Sequence, residues 1–84
     1  MAVTWMTAMP AGTLPDTTMN YDLEDPELRD LQLRGAIGHA RLSSRIRGEE
    51  WVVWHVCDGS LSEVTRYVDG YRAWRDDAGR LHLA

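Results

Sequence analysis

Eighty-four residues with a net charge of −4 make one small acidic domain, 1–84, with a small core and marginal stability. A single cysteine, Cys57, excludes an internal disulfide, and the absence of lysine excludes a Schiff-base enzyme or a lysine-bearing phosphate loop. No apolar run approaches the ~20 residues of a membrane span, and the apolar stretch Met1–Met9 lacks the basic flank of a secretory signal. The expected setting is soluble and cytoplasmic, in keeping with one unpaired thiol.

Residues 1–25, rich in Pro, Thr, Asp and Gly from position 10 onward, read as a loop or mobile arm with a short edge strand at 2–8. Asp25-Pro26-Glu27 is a helix start, with a capping acid, a proline at the first position and a glutamate at the positive end of the dipole. Gly35 and Gly38 oppose helix, so a short helix near 26–34 is expected to end at Arg34. Ala40, Leu42, Ser44 and Ile46 then alternate with Arg41, Ser43, Arg45 and Arg47, the period of a strand. Gly48-Glu49 suits a two-residue turn. Trp51 to Cys57, with three valines and two tryptophans, reads as the second strand of a hairpin, 38–47/50–57.

A two-residue turn puts Trp51, Val53, His55 and Cys57 on the core face, leaving Trp54 with Val52 and Val56 on the other. One more loop residue reverses the faces. In either register this strand is apolar on both sides, so both sides need cover. Asp58-Gly59 breaks it. Ser60-Leu61-Ser62-Glu63 forms a capping box, and Val64, Tyr67, Val68, Tyr71 and Trp74 follow at helical spacing, predicting a helix over 60–77. Leu81 and Leu83 alternate with Arg80 and His82 as a last short strand. The fold class is therefore α+β: a small antiparallel sheet on the 38–47/50–57 hairpin, packed by the 60–77 helix, with the short helix near 26–34. An all-α, helix-turn-helix-like rival is disfavoured by the strand-period alternation and the β-branching.

The charge is segregated. Residues 1–30 carry six acids and one arginine, 31–48 four arginines and no acid, and 49–84 seven acids and four arginines. A basic block thus sits between acidic flanks that can neutralise it internally.

No catalytic set stands out. His55 and Cys57 share a strand face, but their spacing matches no structural zinc pattern, so no metal, cofactor or enzyme activity is expected. The stretch Trp54-His55-Val56-Cys57-Asp58-Gly59-Ser60 with Glu63-Val64 resembles the inter-helix turn of PqqD-like leader-peptide recognition domains. That resemblance implies helices on both sides of the turn. The valine-rich approach favours a strand instead, and the spacing after the turn is one residue short, so no site residues carry over. Four tryptophans and three tyrosines in so short a chain suggest aromatic contact area at the surface. The partner-binding residues expected are Trp54, Trp51, Arg41, Arg45 and Arg47: the outer face of the hairpin holds Trp54 bordered by the arginines in the two-residue-turn register, and Trp51 in the other. They point to a small non-catalytic regulator or inhibitor that occupies a surface of a larger protein complex. Phage-type anti-defence proteins, including anti-CRISPR inhibitors, are of this general kind, which suggests a viral or mobile-element protein. A homodimer through the same face is compatible. The alternative is a nucleic-acid-binding β-ribbon bearing the arginines, which net acidity disfavours.

Overall fold

Asp25 caps a helix as its chemistry requires: its Oδ1 accepts the Glu27 amide at 2.9 Å, and Pro26 occupies the first turn. In the computed structural model, which describes residues 4–18 and 25–84, this helix is α1 (Pro26–Arg47). It does not stop near Arg34. It continues through Gly35 and Gly38 and ends at Gly48, whose φ of 65° makes a left-handed cap. Two interior glycines oppose it by about 1 kcal/mol each. Burial outweighs them, because Ala36, Ala40 and Ser44 lie one turn apart on the sheet-facing side, beside Leu33 and Ile37.

The strand expected over 38–47 is therefore a helix, and the hairpin built on it does not form. The alternation that suggested it splits between opposite sides of α1. Ala40 and Ser44 are fully buried, whereas Leu42 and Ile46 are 59% and 73% exposed. Every second residue over two turns contains two i, i+4 pairs, which here lie on opposite faces.

The sheet has five antiparallel strands in sequence order: β1 (Thr4–Pro10), β2 (Glu50–Cys57), β3 (Ser60–Val68), β4 (Tyr71–Arg75) and β5 (Leu81–Leu83). The expected edge strand at 2–8 appears as β1, with positions 2 and 3 outside the described residues. Of the expected loop at 1–25, residues 11–18 are turn and coil, and 19–24 lie outside the described residues. The second strand and the short C-terminal strand stand as expected, in β2 and β5.

The expected 60–77 helix is instead β3 and β4. Asp58-Gly59 and Asp69-Gly70 are the reason. Both residues of each pair have positive φ (50° and 80°, 51° and 82°), giving two-residue turns that join Cys57 to Ser60 and Val68 to Tyr71. Ser60 opens β3 rather than capping a helix, and Glu63 pairs with Arg66. The PqqD-like resemblance fails with it, since the Asp58-Gly59 turn joins two strands and no helices flank it.

α1 lies across β1, β2 and β3 and barely reaches β4. Beneath it Trp51, Val53 and Tyr67 pack with Ala36 and Ala40. Small residues on that helix face let the backbone come close to the sheet. Two polar contacts fix its position. Gln32 Oε1 accepts the Met6 amide of the edge strand at 2.7 Å. At the other end the fully buried Ser44 hydroxyl donates to the Arg41 carbonyl and accepts the Gly70 amide, each at 2.9 Å.

Ser44→Ala is expected to cost about 1–3 kcal/mol, because it leaves the Gly70 amide unpaired where water is scarce. Gly70→Ala is expected to cost at least as much, since φ is +82° and a Cβ would sit 3.2 Å from the Arg45 Cβ. Urea denaturation of the two variants checks both values.

Candidate protein-docking surface

Residues opposite each other across a ladder share a face, and neighbours along a strand alternate. On β2 this puts Trp51 and Val53 toward α1 and Val52, Trp54 and Val56 on the opposite side, together with Trp5 and Met9 of β1. The strand is buried on both sides, with Val52, Val53 and Val56 at most 1% exposed.

The five residues expected to form one contact surface fall in three places. Trp51 is core, 6% exposed, with the His39 ring 5.2 Å from it and the Arg47 guanidinium 5.9 Å above it. Arg41 and Arg45 flank a groove of about 410 Å³ between α1 and the Asp69-Gly70 turn, where Leu42 and Tyr71 complete the walls. Arg41 Nε donates to the Gly70 carbonyl at 3.2 Å. Trp54 lies on the far side of the sheet, half-buried, its indole Nε1 without a hydrogen-bond partner among the described residues. The arginines expected around Trp54 belong to the helix.

Other residues take their place. On the sheet face opposite α1, Arg66 bridges Glu50 at 3.2 Å and Glu63 at 2.5 Å, with Arg75 3.9 Å from Glu50. The register carries this face onto Ala73, which opposes both Arg66 and Leu83, and from there to Leu81, while Tyr71, beside the turn, also borders the α1 groove. Tyr71, Leu81 and Leu83 are 58%, 40% and 48% exposed. Among the described residues no helix covers Leu81 or Leu83. The face thus carries exposed apolar side chains on β5 and the half-buried Trp54 on β2, with the Glu50, Glu63, Arg66 and Arg75 ion pairs between them. The alternation of Leu81 and Leu83 was visible in the sequence, but Tyr71 was not assignable while residues 60–77 were read as helix.

The other side of β4 and β5 is held by a polar loop. The Asp76 carboxylate accepts the Ala78 and Arg80 amides at 3.0 and 2.9 Å and meets His82 Nε2 at 2.7 Å. The His82 ring stacks on Trp74 at 5.5 Å, and Arg72 lies 5.8 Å from the same indole. His82, and then the two amides, hold the Asp76 carboxyl below the usual carboxylate range.

Near the opposite end of the sheet His55 Nε2 contacts the Thr4 hydroxyl, and Cys57 is half-buried opposite Thr4. Among the described residues no group of three or more His, Cys, Asp or Glu side chains converges as a metal site. Nor is any helix among them long and apolar enough to cross a membrane. Comparison with protein-family models, curated proteins and solved structures gives no match for the chain.

Trp51→Ala is expected to cost about 3–5 kcal/mol, a large part of what so small a domain has. Trp74→Ala, at a 43% exposed position, is expected to cost less than half as much on the same denaturation scale. The Asp76 contacts carry a pH signature. A depressed carboxylate contributes stability above its unfolded pKa of about 3.9 and loses it as the pH falls through its folded value. Acidification below about pH 4 should therefore open the Asp76–Arg80 loop, seen by NMR as loss of protection at the Ala78 and Arg80 amides. Asp76→Asn should leave those amides with no such acid transition.

Proposed function

We propose that this chain is a non-catalytic protein-binding regulator or inhibitor that occupies a surface of a larger protein, and that the sheet face opposite α1 is its contact surface. The observation that carries the reading is the exposure of Leu81 and Leu83 on the open face that also holds Trp54. One helix covers one side of a sheet, so an apolar second side calls for a partner. Glu50, Glu63, Arg66 and Arg75 give that face the charged accompaniment of an interface. Aromatic residues with arginine nearby supply most of the binding energy in such contacts.

The nucleic-acid alternative has weaker support. Arg41 donates to the Gly70 carbonyl, Arg47 lies over Trp51 and Arg34 pairs with Asp30, so the basic block is not one phosphate-facing stripe.

The test is affinity for a partner purified from the native host. Leu83→Glu and Trp54→Glu should each weaken binding at least about tenfold, or ~1.4 kcal/mol. For Leu83→Glu the circular-dichroism spectrum and melting temperature should stay close to wild type, while Arg45→Glu on the helix should bind normally. Unchanged affinity in both sheet-face variants would move the contact surface elsewhere. Sub-micromolar binding to duplex DNA with a steep salt dependence would favour the alternative.

A further inference from the structure

α1 presents a second apolar surface on its solvent side, where Leu42 also borders the groove beside the Asp69-Gly70 turn. Leu28, Leu31, Leu42 and Ile46 are 50%, 62%, 59% and 73% exposed. Leu28, Leu31, Gly35, Gly38 and Leu42 fall on one stripe at alternating spacings of three and four, the repeat by which two helices pack along a seam, and Ile46 lies one further turn along it. The glycines have no role in the monomer's packing, since a Cβ at either position would meet nothing within 4 Å. Each nevertheless opposes the helix that contains it.

The seam is close to a palindrome about the point between Ala36 and Ile37. Leu31 mirrors Leu42, Gly35 mirrors Gly38, and Leu28 mirrors Arg45, with Ile46 one place beyond. Its charge has matching polarity. Around the first half lie Asp25, Glu27 and Asp30 with Arg29 and Arg34, net −1; around the second lie Arg41, Arg45 and Arg47, net +3.

We propose that a second copy of this chain docks on this seam, α1 against α1 in antiparallel orientation about a two-fold axis at Gly35 and Gly38. Antiparallel packing sets each Leu31 against the partner's Leu42 and lays each acidic half over a basic one. A parallel pair would instead stack Arg41 and Arg45 on their own copies. The helix dipoles favour the same choice. At the axis the missing side chains let the two backbones approach closely, which gives both glycines a purpose. The sheet faces point away from the seam, so dimerisation and partner binding are separate events. A single helix pair lies at the small end of interfaces, below about 1,200 Å², so micromolar association is expected.

Sedimentation equilibrium tests this. The wild-type chain should dimerise at micromolar concentration, and Leu31→Glu and Leu42→Arg should each weaken the dimer about tenfold or more, because each buries an unpaired charge. Combining the two substitutions in one chain should restore the dimer, since the new acid of one copy meets the new base of the other only in the antiparallel register. Leu83→Glu, on the sheet face, should dimerise as wild type, which separates failure here from failure of the proposed function. A wild-type chain that stays monomeric to about 1 mM would overturn the proposal, as would a double variant that fails to recover. So would single variants that lose their helical circular dichroism, which would make these leucines part of the monomer's own fold.

Discussion

The structure depends on keeping water from both faces of β2. Val52, Val53 and Val56 are at most 1% exposed, and Trp51 beside them is 6% exposed. Burying a valine fully stabilises by roughly 1.5–3 kcal/mol, so this strand carries a large share of the stability of a small domain. α1 reaches it closely because Ala36, Ala40 and Ser44 are the residues facing it. β1 and β3 shield its edges by pairing. The remaining elements are peripheral to this centre, which is why large apolar side chains stay exposed on β4, β5 and the outer side of α1.

The basic block of the sequence is neutralised by geometry more than by ion pairing. Arg34 pairs with Asp30 at 2.8 Å on an exposed turn, where such a pair is worth little. Arg41 is bound to a backbone carbonyl and Arg47 lies over an indole ring. The helix turns these side chains in different directions, so the charge that looks like a stripe along the chain is dispersed around a cylinder. The acids and arginines of the sheet instead form a line across β2, β3 and β4 through Glu50, Arg66, Glu63 and Arg75.

The two apolar surfaces differ in kind. The sheet face is broad and carries aromatic side chains, a form suited to a partner of different shape. The helix seam is narrow, nearly palindromic and split by charge, a form that complements itself. Two helix-opposing glycines lie on that seam, although the monomer would accept a side chain at either position.

Length, charge, the α+β class, the N-terminal edge strand, the Asp25-Pro26 helix start, β2 with its two apolar faces and the short β5 were all legible in the sequence, because each rests on chemistry local to a few residues. The Asp58-Gly59 break was legible too, whereas the Asp69-Gly70 turn was missed, because the capping pattern at Ser60 and the helical spacing beyond it read through it as helix. Five apolar side chains at helical spacing cannot tell one helical face from two strands around a turn. Only tertiary contact decided that residues 38–47 are helical, because burying Ala36, Ala40 and Ser44 on the sheet outweighs the cost of Gly35 and Gly38. The same contact decided where the tryptophans lie. Strand alternation separates Trp51 from Trp54, but which of them α1 covers depends on where the helix docks, and that is settled by packing rather than by any local signal.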